Sequence, residues 1–327
     1  MAAPNSYNFV VTRDNIITDA LLHIGAIGEG ETPSANAVTE AARILNMLLK
    51  VRANEIPLWS IRRGAILPVT EVSSINTTSH IVINYDTTTI SADEASGQTT
   101  LSVTTSAGMA TSDQIGIECD DGTMHWTTIS SVPDGTSVII DTALDDEASS
   151  GNRVFWYTAS ADRIPTRPLR VRNANILELT NNGSWEIKIE ERQDYFNLGN
   201  RTTESIPNRI FYDPILGDRT ADPTSSTTWY GTFYIYPRFE GGDHVVEFTY
   251  QEPIQDVDSA TDNLYVPQEF YLPIWLELCA LLGTGKYGLP KEQRDTMFAL
   301  AEKYRKEALE TTFEEGSLFL QPEDENA

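Results

Sequence analysis

The sequence predicts an α+β fold: a helical bundle drawn from both chain ends, with an inserted all-β domain and antiparallel β-hairpins between them. Three observations predict it. Apolar residues recur at the 3.6-residue helical period before residue 54 and again after Val266-Pro267. Between these stretches the composition turns to Thr, Ser, Val, Ile and Gly in short alternating runs. The charge shifts as well, because residues 76–160 hold one Arg and no Lys against twelve Asp+Glu, a net of −11, whereas residues 1–75 net only −1. These changes divide the chain into an N-terminal helical hairpin (1–64), an inserted acidic β domain (65–160), an antiparallel β-hairpin region (161–255), and C-terminal helices with a tail that complete the helical core (256–327).

The first helix runs from Thr12 to Ala26 on Ile16, Ile17, Ala20, Leu21 and Ile24, with Gly25 and Gly28 ending it. Ser34 is the N-cap of a second, whose stripe of Val38, Ala41, Leu45, Leu48 and Leu49 continues to about Ala53, before Pro57. The runs HIVINY, TTLSVTT, QIGIEC, MHWTTI, TSVIID and NRVFWY then read as short strands, with Asp121-Gly122 and Asp134-Gly135 as hairpin turns. Longer alternating stretches follow in SWEIKIEER, PNRIFYD, TWYGTFYIYP and HVVEFTYQ, joined by the polar loop GDRTADPTSST and the turn GGD. Helical period returns at Phe270, Ile274, Leu278 and Leu281 or Leu282, until Gly283 and Gly285 break it. A last helix starts near Pro290 and lines one face with Met297, Leu300, Ala301, Tyr304 and Ala308. Each helix offers a single apolar face, so those near the two ends are expected to pack together.

Composition bounds the function. The 327 residues carry 23 Lys+Arg against 48 Asp+Glu, a net of −25, which excludes a protein that lives by gripping nucleic-acid phosphates. No window approaches the roughly 20 apolar residues of a membrane span, so no membrane partner is expected. The opening MAAPNSYNFVVTRDN has neither a basic nor an apolar signal region, and the chain is expected to be made and kept, or assembled, in a cytoplasm. Cys119 and Cys279 supply neither a disulfide scaffold nor a four-cysteine zinc site, and His23, His80, His125 and His244 never stand at ligand spacing. There is no G-x-S-x-G elbow. GTGKYG at 283–288 follows a helix rather than a strand and lacks the Lys-Ser/Thr ending of a phosphate loop, which leaves it a helix end and turn. The doublets Asp120-Asp121 and Glu190-Glu191 place neighbouring carboxylates on opposite strand faces, and Asp145-Asp146-Glu147 lacks the alternating oxygens of a calcium loop. No catalytic, cofactor-binding or metal residue is therefore assigned, and the chain is expected not to be an enzyme.

Three features call for partners. In ADRIPTRPLRVRN, Arg163, Arg167, Arg170 and Arg172 stand beside the acidic insert; they form either a contact surface for a subunit or DNA, or internal pairs with nearby carboxylates. YGTFYIYPRF alternates Phe233, Ile235 and Pro237 with Tyr234, Tyr236 and Arg238, so aromatics on both faces imply that both are covered. After Gly316, Leu318, Phe319 and Leu320 sit in a segment too short for a core of its own and just ahead of Glu323, Asp324 and Glu325, which reads as an assembly latch buried against a partner protein or a neighbouring subunit. A tail folded back on its own last helix is the alternative.

The hairpin DALLHIGAIGEGETPSANAVTEAARILNMLLKVRANEIPLWS resembles the opening of the head-to-tail adaptors of short-tailed phages, also called packaged-DNA stabilisation or head-completion proteins. WEIKIEERQDYFNL, IPNRIFYDP, FYIYPRF, VEFTYQEPIQDVD and VPQEFYLPIWLELCALL follow in that family's order, and DGTMHWTTI resembles the β-rich segment of its longer members. The likeness covers roughly Thr12 to Pro290. It implies a structural virion protein of the phage neck or tail: a homo-oligomeric ring, commonly twelvefold, beneath the portal protein, in contact with tail nozzle or fibre proteins, its lumen passing double-stranded DNA without specific binding. It implies no cofactor and no catalysis. The insert between Ala65 and Arg163 exceeds that of compact members. The competing expectation is a tail-associated carbohydrate-binding or glycan-cleaving protein, which for cleavage needs two carboxylates about 5 to 10 Å apart in a cleft.

Overall fold

The computed structural model describes residues 9–52, 61–76, 79–164, 167–214, 231–285 and 287–310. The chain forms two compact units, one of residues 1–60 with 254–327 and one of residues 61–253. The protein is α+β, with more sheet than helix.

The first unit is helical: α1 (Arg13–His23), α2 (Ala35–Arg52), α4 (Tyr271–Thr284) and α5 (Lys291–Glu310), whereas the short α3 (Arg192–Phe196) belongs to the second unit. Local chemistry sets the ends. Thr12 Oγ1 accepts the Asn15 N–H at 3.3 Å, Ser34 Oγ accepts that of Ala37 at 3.3 Å, and Gly25 takes φ +71° just past α1. Ile16, Ile17 and Leu21 of α1, Ala41, Leu45 and Leu49 of α2, Ile274, Leu278 and Leu282 of α4, and Ala308 of α5 share one buried cluster. Three expectations need correction. Helix α4 is buried on more than one face, with Pro273, Leu276, Glu277 and Ala280 enclosed as well, because α1, α2 and α5 all contact it. Leu300 lies about 100° round α5 from the enclosed Ala301 and is exposed. Gly283 does not break α4 but sits inside it, where a Cβ would come within 2.5 Å of Leu289 Cδ1.

The second unit holds three sheets. A five-stranded sheet has the order β11 (Gly183–Glu186), β10 (Arg170–Glu178), β15 (His244–Gln251), β1 (Ile61–Ile66), β3 (Ile81–Val82). A four-stranded sheet has the order β12 (Lys188–Ile189), β13 (Arg209–Asp213), β14 (Thr232–Tyr236), β2 (Ser74–Asn76). The six-stranded sheet is ordered β4 (Asp86–Thr89), β9 (Arg153–Tyr157), β6 (Gln114–Glu118), β7 (Met124–Asp134), β8 (Ser137–Ile140), β5 (Thr100–Ser102). Both Asp-Gly turns form: Asp121 Oδ1 accepts the Thr123 N–H at 2.8 Å, and Asp134 Oδ1 that of Thr136 at 2.8 Å.

The sheets divide the chain differently from the sequence-derived boundary of 65–160. The acidic sheet occupies only 86–157, while β1, β2 and β3 pair outside it: Ile61 to Ile66 run antiparallel to Gln251 to Val246. SWEIKIEER is likewise two strands in two sheets, and β12 pairs with β13 in parallel rather than in a hairpin. Apolar faces of the five- and four-stranded sheets enclose Ile176, Ile210, Phe233, Val246, Phe248 and Tyr250 in one cluster. Another cluster joins Ala65, Leu67, Val82 and Val245 to Met124, Phe155 and Tyr157 of the six-stranded sheet.

Candidate interaction surfaces

The arginine strip does not form one surface. Arg163 bridges backbone with Val82 and holds its guanidinium 5.9 Å over the Tyr157 ring. Arg167 is half-buried, with Nη1 donating to the Pro214 carbonyl at 2.7 Å. Arg170 is exposed and gives Nε to the Gln251 side-chain oxygen at 2.9 Å, while Arg172 occupies the bulge of β10 between Val171 and Asn173. Partial desolvation, and then the Arg170 charge, lower the Arg172 guanidinium from its usual value. A bulge aims its extra residue away from the ladder, so Arg170 and Arg172 are the two members left facing solvent.

The second aromatic face is covered from within the chain. Phe233 and Ile235 point into the cluster between the sheets, whereas Tyr234 on the opposite face stacks on Phe211 at 5.6 Å and meets Tyr195 and Phe196 of α3 at 5.5 Å each. Tyr195 is fully enclosed, and its hydroxyl donates to the Ile235 carbonyl at 3.1 Å. Helix α3 carries no helical period in its five residues, so nothing in the pattern marks it. Helix α3 thus covers part of this face, and its Phe196 remains 41% exposed there.

Sequence reasoning missed an open apolar surface of the helical unit. A groove of about 460 Å³ runs between α2, α4 and α5, lined by Ile44, Met47, Leu48, Val51, Leu281 and Phe298. Met47 is 54% exposed, Val51 62% and Phe298 38%. The signal was present: Ile44, Met47 and Val51 stand at i, i+3 and i+7, a second stripe beside the one that faces the core. At the groove's edge the buried Glu277 carboxylate binds Arg52 of α2 through Nη2 at 2.5 Å and Nε at 2.9 Å, and Arg305 of α5 at 3.2 Å. Two guanidiniums thus share one carboxylate. This ion cluster ties three helices together, since removing one partner strands buried charge.

The β unit offers a polar recess of about 370 Å³ on the five-stranded sheet, lined by Arg63, Tyr85, Asn173, Asn175 and Glu247 among others. Burial, followed by the Glu247 charge, pushes the Tyr85 hydroxyl up to about 12.

Groups that sequence reasoning weighed for catalysis have structural work. Asp120 accepts from Ser149 N–H at 2.9 Å, Ser149 Oγ at 2.6 Å and Asn152 Nδ2 at 2.8 Å, bonds that hold its pKa below the ordinary value. Glu190 pairs with Lys188 at 2.9 Å and Arg209 at 2.8 Å. Asp145 Oδ2 lies 2.7 Å from His125 Nδ1, and His125 Nε2 lies 3.2 Å from the Thr142 carbonyl, so both ring nitrogens of this buried histidine face acceptors. Both cysteines are buried free thiols, and burial raises each pKa, that of Cys279 to about 12. Among the described residues no group of three or more His, Cys, Asp or Glu is placed to hold a metal ion, and no helix is long and apolar enough to cross a membrane. Leu318, Phe319 and Leu320 lie outside the described residues.

No family model and no curated protein matches this chain. Among solved structures it is similar in part to the Gp54 tailspike of Acinetobacter baumannii bacteriophage AP22, solved in complex with A. baumannii capsular saccharide. That likeness has 16% identity and a TM-score of 0.21, and covers 22% of this chain and 14% of the tailspike chain. At that extent it fixes neither fold nor function.

Proposed function

We propose that this chain is a structural protein of a phage virion, a head-to-tail adaptor whose copies form a ring beneath the portal protein, extend the DNA channel, help retain packaged DNA and carry the tail. The observation that carries the reading is the helical unit, in which α1 and α2 from one end of the sequence and α4 and α5 from the other share a single core, with the strand-rich unit inserted between them. This is the arrangement implied by the ordered segments that resemble the adaptor family, a bundle from both chain ends with inserted β structure. An open apolar groove on that bundle is what an assembly component offers a partner. The acidic balance suits a channel, because each basic phosphate contact would add affinity and so friction to moving DNA. In this reading Arg170 and Arg172, the exposed pair of the strip, contact a subunit or DNA, and Leu318, Phe319 and Leu320 are buried against the portal or a neighbouring subunit in the ring. The partners are the portal, tail nozzle or fibre proteins, and further copies of this chain, twelve by analogy with the family. No catalysis is assigned.

Native mass spectrometry of the purified chain mixed with the portal protein of the same phage tests the reading. The expected result is a complex holding one copy of this chain per portal subunit. Separate portal and free chain at tens of micromolar would contradict it.

A second reading, a tail-associated carbohydrate-binding protein, draws on the polar recess, where Asn173, Asn175 and Arg63 present amide and guanidinium groups suited to hydroxyls. Glu247 is the one carboxylate lining that recess, so the carboxylate pair for glycan cleavage is not there.

A further inference from the structure

We propose that the apolar groove between α2, α4 and α5 is the docking site of this chain's own Leu318-Phe319-Leu320 segment. The reach is sufficient. Phe298 lines the groove, and α5 continues twelve residues to Glu310, about 18 Å at 1.5 Å per residue. The eight Cα steps from Glu310 to Leu318 span up to ~26 Å, enough to return along α5 to the level of Phe298 when the chain turns back directly after Glu310. The chemistry matches as well. Met47, Val51 and Phe298 present apolar surface, and the segment supplies three large apolar side chains.

Magnitude decides between the chain's own segment and that of a second copy. Three side chains cannot bury the ~1,000 Å² that a stable contact between separate chains requires. A tether of this length replaces free association with an effective concentration on the order of millimolar, so the same weak contact closes within one chain. The proposal does not rest on the adaptor reading. It adds to it a resting position that the segment leaves when the portal or a neighbouring subunit takes it up.

Disulfide trapping in the full-length protein tests this. Val51→Cys with Phe319→Cys, oxidised at about one micromolar, is expected to give a linked monomer as the main product, because Cys119 and Cys279 are buried. Linked dimers as the main product would overturn it by placing a second copy in the groove. Linkage no greater than that of the control pair Thr39→Cys with Phe319→Cys, on an exposed part of α2 away from the groove, would overturn it too. A second readout leaves the groove untouched: truncation after Gly316 should raise amide hydrogen exchange in α2 around Met47 to Val51 several-fold with the melting temperature of the β unit unchanged. Unchanged exchange there would contradict the docking.

Discussion

The six-stranded and five-stranded sheets use similar residues but recruit them over opposite distances. All strands of the first come from 86–157, and β6, β7 and β8 follow one another through tight turns. Its cluster of Ile90, Ile115, Ile117, Val138, Ile140 and Val154 comes from the same span. The five-stranded sheet instead joins Ile61 to Gln251 and Arg170 to Gln251, so its centre closes loops that run through most of the β unit. Loop-closure entropy makes the first sheet a local folding unit and the second dependent on the whole unit being in place. Three of the insert's twelve acids, Asp120, Asp121 and Asp134, accept backbone N–H groups in its turns, so part of its acidity is turn chemistry.

The contrast breaks most sharply at Phe248, which is 2% exposed and packs at 4.7 Å on Phe233 and 5.7 Å on Tyr250. Phe248→Ala should cost about 3–5 kcal/mol in urea unfolding and lower hydrogen-exchange protection in β10, β13 and β14 while leaving β6 and β7 protected. Equal loss in both sheets would show that they fold as one unit. Next in size is Gly116→Ala. A Cβ there would lie 2.7 Å from the Trp126 ring, an overpacking cost of about 1–3 kcal/mol that falls on the six-stranded sheet and on the seam this ring fills.

His80 sits where the two sheets meet, its ring 4.0 Å from that of Trp126 and near Tyr157. Burial, with a smaller contribution from the Arg163 charge, holds its pKa at about 4 against 6.5. The folded chain keeps the ring neutral while the unfolded chain protonates below 6.5, so this contribution is whole above pH 6.5 and is lost as pH falls toward 4. Between pH 7 and 4.5 the wild type should lose about 2 kcal/mol more than His80→Asn, after allowance for the solvent that reaches the ring. Asparagine suits the site's φ of +51°. Identical pH profiles would remove His80 from the seam. The smallest effect is Asp134→Ala, which unbonds the Thr136 amide at an exposed turn and should lower the melting temperature only slightly.

What was legible in the sequence follows the same division. The helices, the Ser34 cap, the strands of the six-stranded sheet and both Asp-Gly turns are written in neighbouring residues, and each stands near its expected place. The partners of β1 are not, because an alternating run states which face it buries and not which distant strand it meets; hence the misplaced boundary at 65. Helix α3 was silent for want of length. The groove was half legible, since Ile44, Met47 and Val51 announce a second apolar stripe but Phe298 and Leu281 join it only through packing. The four arginines looked like one feature because they are close in sequence, and strand, bulge and loop geometry separate them.

The central claim is tested most directly by electron microscopy of the full-length chain with the portal protein of the same phage, compared with portal alone. The adaptor reading predicts a coaxial ring of added density at one face of the portal, with a continuous open channel through both rings. Unchanged portal particles, or copies attached only as separate peripheral spikes, would contradict it.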